Sequence, residues 1–127
     1  IREPIDGYWA EVWLTKPWMM SNWGARPTPD VMYTLTYKAG AAWNETYWDN
    51  ARFNDLLLMG KGELDDTKRA GIYREMGMIL RDDGGALIPY FPNYVTGRRK
   101  TGQNIGSVAA SWAMDSFRAG SRWWFEG

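Results

Sequence analysis

The chain has 127 residues, 45% apolar and 24% charged, enough for one domain with a core of its own. Fifteen basic residues balance fifteen acidic ones, which argues against nucleic acid or an anionic membrane as the main partner. Cysteine and histidine are absent, which excludes disulfides, zinc–thiolate sites, cysteine nucleophiles and every Ser-His or Cys-His arrangement.

The opening Ile1-Arg2-Glu3-Pro4 carries no initiator Met and no signal peptide, so it reads as the middle of a longer sequence. Ile1–Glu3 is expected to be the tail of a strand. Asp6 is placed to cap a short helix in which Trp9, Val12 and Trp13 share a face, with Lys16-Pro17 ending it. Trp18–Trp23 (WMMSNW) is apolar, aromatic and of strand length. Gly24–Pro29 (GARPTP) is a turn. Thr28 then reads as an N-cap, with Pro29 at the first helical position and Asp30 in the first turn. Val31, Met32 and Leu35 would form the apolar face of that helix, which runs out near Ala39-Gly40.

Ala41–Asn50 is a polar and aromatic loop containing Trp43, Asn44, Tyr47 and Trp48. Asn50 caps the next helix, with Phe53, Leu56, Leu57 and Leu64 facing inward and Gly60 and Gly62 weakening its end. Asp65 or Asp66 starts the central helix. In it Ile72, Tyr73, Met76, Ile79 and Leu80 fall at the three- and four-residue spacings of one apolar stripe. Gly84-Gly85 stops it, because glycine readily takes the left-handed conformation that ends helices. Ala86–Pro92 then reads as a buried strand, with Asn93–Thr96 as a second extended piece. Gly97–Gly106 is a loop, and the aromatic residues 107–127 fit helix and strand equally. The expected fold class is α/β, built on the helix–turn–strand unit from Asp65 to Pro92.

Nine tryptophans and seven tyrosines are the unusual feature. Large rings fill cores, and they also line clefts, where a rigid amphipathic ring offers contact area and a polar handle. Arg98-Arg99-Lys100 is a short basic run on a glycine-rich loop and reads as a solvated turn. Asp65-Asp66 and Asp82-Asp83 sit at helix ends, where capping explains them. Arg26 lies in the GARPTP turn after the aromatic segment. There a guanidinium flanked by Trp23 can clamp a carboxylate or phosphate through two parallel hydrogen bonds. The sequence supports no metal and no cofactor.

The order of motifs is also distinctive. It runs from a Trp-Gly turn through a proline-led helix start and a Trp/Tyr/Asn loop to Asp49-Asn50-Ala51-Arg52-Phe53-Asn54-Asp55-Leu56-Leu57. There follow Glu63-Leu64-Asp65-Asp66-Thr67-Lys68-Arg69, a helix with Tyr73, and Asp82-Asp83-Gly84-Gly85-Ala86-Leu87-Ile88-Pro89-Tyr90-Phe91. This resembles the C-terminal part of extracytoplasmic solute-binding proteins of peptide/nickel-type ABC transporters (solute-binding family 5). The match is good from Trp18 to Val95 and looser to Phe125.

The resemblance implies that residues 1–127 are a single α+β-like fragment, part of the second lobe of a two-lobed periplasmic-binding-protein fold. Residues 97–127 would return toward the first lobe. It implies a binding protein rather than an enzyme. Such a protein takes a peptide or opine-like solute between its lobes and delivers it to membrane permease subunits. Its location would be periplasmic, or extracytoplasmic and lipid-anchored in a Gram-positive host. The implied ligand-binding residues are Trp23, Arg26, Asn22, Trp18 and Met20, with Asn93 and Tyr94 as lesser candidates. Many relatives carry an Asp shortly after the Trp-Gly turn, where it pairs with the peptide's amino group. Arg26 at that position inverts the charge and implies an anionic ligand group. The alternative is a carbohydrate-binding or carbohydrate-active protein with a Trp-lined cleft, which as an enzyme would need two carboxylates about 5–10 Å apart.

Overall fold

The computed structural model describes residues 4–93, 95, 100–104, 106–109 and 112–126. The expected strand at Ile1–Glu3, Tyr94, and residues 96–99 and 105 lie outside them, while the expected loop 97–106 contains a short strand at Gly102–Asn104. The fold is helix-dominated with a two-stranded antiparallel sheet. Its contacts divide it into two compact units. One comprises Ile1–Trp23 and Thr28–Leu87, and the other Gly24–Pro27 and Ile88–Gly127.

The first unit is organised by three helices whose starts follow local chemistry. Helix α1 is Pro29–Thr36, and the Thr28 hydroxyl accepts from the Val31 N–H at 3.5 Å. Helix α2 is Ala51–Gly62, capped by the Asn50 carboxamide, which accepts from the Phe53 N–H at 3.0 Å. Helix α3 is Asp66–Asp83, and the Asp65 carboxylate accepts from the Lys68 N–H at 2.9 Å. In each, a side-chain oxygen satisfies an amide that has no partner within the helix.

The core lies between α2 and α3. Phe53, Leu56, Leu57, Met76 and Leu80 are buried together, with Tyr33, Tyr37, Trp48, Ile72, Tyr73 and Ile79 packed on them. Each fully buried large side chain contributes about 1.5–3 kcal/mol. The expected α3 stripe is therefore the one buried. Gly60 lies where Tyr73 crosses α2. A Cβ there would stand 3.0 Å from the Tyr73 ring, so glycine serves the approach of α3 rather than weakening the helix end.

Several expectations are corrected. Leu64 follows the end of α2 and is 90% exposed. On α1 the inward residues are Tyr33 and Thr36, while Val31, Met32 and Leu35 are half-buried. The polar Thr36 turns its hydroxyl to the Met32 carbonyl at 2.7 Å, so it can be buried without an unmet donor. The N-terminal turn Tyr8–Val12 is π-helical. It follows Gly7 (φ +86°) and has no side-chain cap from Asp6. Trp9 is exposed on it, and only Val12 is buried.

Gly84 ends α3 in extended conformation (φ −67°), not left-handed. Glycine is needed there for closeness: a Cβ would press into the Leu80 carbonyl and lie 2.7 Å from Leu80 Cδ1. Ala86–Pro92 is not a buried strand. Leu87, Ile88, Tyr90 and Phe91 are all exposed. Nor is Trp18–Trp23 a strand. Among the described residues the ladder joins only β1 (Gly102–Asn104) and β2 (Trp123–Phe125), with Gly102 opposite Phe125. Apolar content alone made both segments look like strands, but a strand needs a neighbour to satisfy its backbone.

In the second unit, α4 (Ala113–Ser116) is a left-handed turn. Met114, Asp115, Ser116 and Phe117 all have φ between 53° and 64°. Left-handed backbone costs a non-glycine residue about 1–2 kcal/mol. The Asp115 carboxylate opposes that cost. It is buried, accepts from the Ala109 N–H at 2.6 Å, and pairs with Arg122 at 2.7 Å, where α5 (Ala119–Arg122) ends. Its carboxyl is held below the ordinary carboxylate value, chiefly by the Ala109 amide. Burial works the other way, and the Arg122 and Arg118 guanidiniums add to the lowering.

Candidate functional site

The aromatic segment 18–23 is held against the loop 41–48 by a carboxylate. Glu45 Oε1 accepts from the Trp13 indole N–H at 2.5 Å and from the Ser21 hydroxyl at 2.7 Å. Two more hydrogen bonds fix the same region: Tyr47 Oη donates to the Leu14 carbonyl at 2.9 Å, and Tyr8 Oη to the Met20 carbonyl at 2.7 Å. Burial raises the phenol pKa values of Tyr8 and Tyr37, and the negative charge of Glu45 adds to both.

With segment 18–23 anchored this way, the Trp23 ring meets Trp43, centroids 5.8 Å apart and planes tilted by 48°. Trp43 in turn lines a shallow pocket of about 280 Å³ with Thr34, Leu35, Lys38, Gly40, Ala41 and Ala42. The end of α1 supplies one wall and the following turn the other. Gly40 adopts φ +70°, and the small side chains at 40–42 leave the indole of Trp43 accessible, 43% exposed.

Asn44 braces this loop from beneath and is 3% exposed. Its Nδ2 donates to the Lys38 carbonyl at 3.2 Å and to the Trp48 carbonyl at 2.7 Å, while its Oδ1 accepts from the Thr46 hydroxyl at 3.2 Å. Asn54 adds a further tie, accepting from the Ala39 N–H at 3.1 Å. The end of α3 closes the loop: Asp83 Oδ2 accepts from Asn50 Nδ2 at 2.9 Å and from the Trp48 indole at 3.2 Å.

Of the residues expected from sequence, Trp23 is brought to the pocket through its contact with Trp43. Asn22 is exposed beside it in sequence, and Trp18 and Met20 are 78% and 90% exposed. Their supposed common strand face does not exist. Arg26 belongs to the second unit, and its Nη1 donates to the carbonyls of Gly24 and Ala25 at 2.9 and 3.4 Å. Asn93 is exposed in that unit, and Tyr94 lies outside the described residues.

Thr34, Lys38 and Trp43 were not singled out from sequence. Thr34 lies in the last turn of α1 and Lys38 two residues past its end, so no helical spacing links them in the sequence. Among the described residues no Asp or Glu lines the pocket, so these residues offer it stacking and one cation but no acid–base pair. Among the described residues no cluster of acidic side chains suits a metal ion, and no helix is long and apolar enough to cross a membrane.

No protein-family model, no curated protein and no solved structure matches the chain.

Proposed function

We propose that the chain is part of the solute-binding component of an ABC importer, contributing one wall of a site for a peptide or peptide-like solute. The observation that carries this reading is the Trp23–Trp43 pair beside an open pocket, on a loop braced by Asn44 and Glu45. Such a site binds by stacking and hydrogen bonding and contains no catalytic carboxylate. The motif order from Trp18 to Val95 supports the same family.

The exposed apolar residues support the two-lobed arrangement. Trp18, Met20, Leu87, Tyr90 and Phe91 are each more than 70% exposed, which suits surfaces that further protein covers. In that arrangement the partners are the solute, the rest of the binding protein and the membrane permease subunits. The location is periplasmic, or extracytoplasmic on a lipid anchor.

The test is a tryptophan-fluorescence titration with neutral peptides, acidic peptides, opine-like acids and sugars, on the protein and its Trp43→Ala variant. A saturable response to a peptide or opine-like acid, lost in the variant, is expected. A response to sugars alone would favour the carbohydrate-binding alternative, because a tilted Trp pair also stacks on sugar rings. Silence toward the whole panel would refute the binding role of this pocket.

A further inference from the structure

Resting on the assignment of the Trp43 pocket as the solute site, we infer that it takes a carboxylate-bearing solute with a flat apolar face, and that Lys38 recognises the carboxylate. The sequence placed anion recognition on Arg26, whose Nη1 donates to the carbonyls of Gly24 and Ala25; Lys38 is a second cation, and it lines the pocket itself.

Among the described residues, Lys38 is the one ionisable side chain lining the pocket. None of the ion pairs between described residues uses it. Its backbone is fixed on both sides. The Lys38 N–H donates to the Tyr33 carbonyl at 2.9 Å, and its own carbonyl accepts from Asn44. The backbone that carries the Lys38 side chain is therefore held in place beside the pocket.

The other described lining residues are chiefly apolar and small: Leu35, Gly40, Ala41, Ala42 and the Trp43 ring. Thr34 also lines the pocket, but its hydroxyl oxygen is buried within the protein and does not face it. Cation and indole together match a carboxylate attached to a ring or a flat hydrophobic group. No Asp or Glu is among the described lining residues, so none of them repels it.

The test uses 3-phenylpropionate and its neutral isostere 3-phenylpropionamide, titrated into the 127-residue chain. Binding is read from the amide and indole resonances of Thr34–Trp43. The acid is expected to shift these resonances saturably and to bind about fivefold more tightly than the amide, the size of a partly solvated ion pair. Lys38→Gln, which keeps the stem, should reduce acid binding to the level of the amide and leave amide binding unchanged. Equal affinity for the two compounds, or undiminished acid binding by Lys38→Gln, would overturn the role of Lys38 while leaving the pocket assignment standing. No shift at Thr34–Trp43 with either compound would overturn the pocket assignment and the inference with it.

Discussion

Replacing Asn44 with Asp tests whether the loop that carries Trp43 is held by side-chain donation. The two side chains are nearly isosteric, so packing is conserved and only the hydrogen-bond polarity changes. Asn44 Nδ2 supplies donors to the carbonyls of Lys38 and Trp48 from a site that is 3% exposed. A carboxylate supplies none and faces both carbonyl oxygens with like charge. Leaving a buried acceptor unmet costs about 1–3 kcal/mol, so two predict a loss of about 2–6 kcal/mol. With a urea m-value of about 1–2 kcal/mol per molar, the midpoint should fall by at least about 1 M. The assay is urea unfolding followed by helical circular dichroism, because α1–α3 all lie in this unit.

The loss should also depend on pH with a defined sign. Burial against carbonyls raises the folded-state pKa of the new carboxyl above its unfolded value. The variant is then closest to wild type below the unfolded value, where the protonated acid can still donate one bond. It loses stability as pH rises through the folded value. A midpoint shift below about 0.3 M, independent of pH, would refute the view that Asn44 braces the loop.

The remaining predictions concern other supports. Asn50→Ala removes both the α2 cap and the bond to Asp83, and thermal melting should show a loss of about 1–2 kcal/mol. Gly85→Ala would place a Cβ 2.6 Å from Thr46 Cβ, and the melt should report a loss of about 1–3 kcal/mol with backbone shifts near Thr46. Ser116→Gly relieves one left-handed residue and should stabilise the second unit by about 0.5–1 kcal/mol, read as slower hydrogen exchange at the Ala109 amide. Asp115 has a folded pKa below its ordinary 3.8, so its stabilising effect is present above that value and is lost as pH falls through the folded value. Exchange at Ala109 should therefore accelerate in acid below about pH 4, and the Asp115→Asn variant should lack that acceleration.

The helices of the first unit were legible because their signals are local. Thr28-Pro29, Asn50 and Asp65 each mark a start within one turn, and the Ile72–Leu80 stripe needs only the helical period. The two supposed strands were not legible because strand formation depends on a partner elsewhere in the chain. Trp18–Trp23 and Ala86–Pro92 have strand-like composition and no such partner among the described residues. The reason for glycine at positions 60, 84 and 85 was equally hidden: it lies in the close approach of Tyr73, Leu80 and Thr46.

The candidate site was half visible. Trp23 drew notice because it stands before a turn. Trp43 was one ring among several in its loop, and the bonds that Trp13 and Ser21 donate to Glu45, with the Trp23–Trp43 contact, arise only on folding. Lys38 gave no signal beyond being a lysine past the end of a helix. Its place in the lining of the pocket is a property of the folded chain.

Hydrogen–deuterium exchange across Tyr37–Trp48, with and without a saturating acidic peptide, tests the solute-binding account most directly. The account predicts slower exchange confined to this loop and the end of α1, abolished by Trp43→Ala. Unchanged exchange there, with protection elsewhere or nowhere, would contradict it.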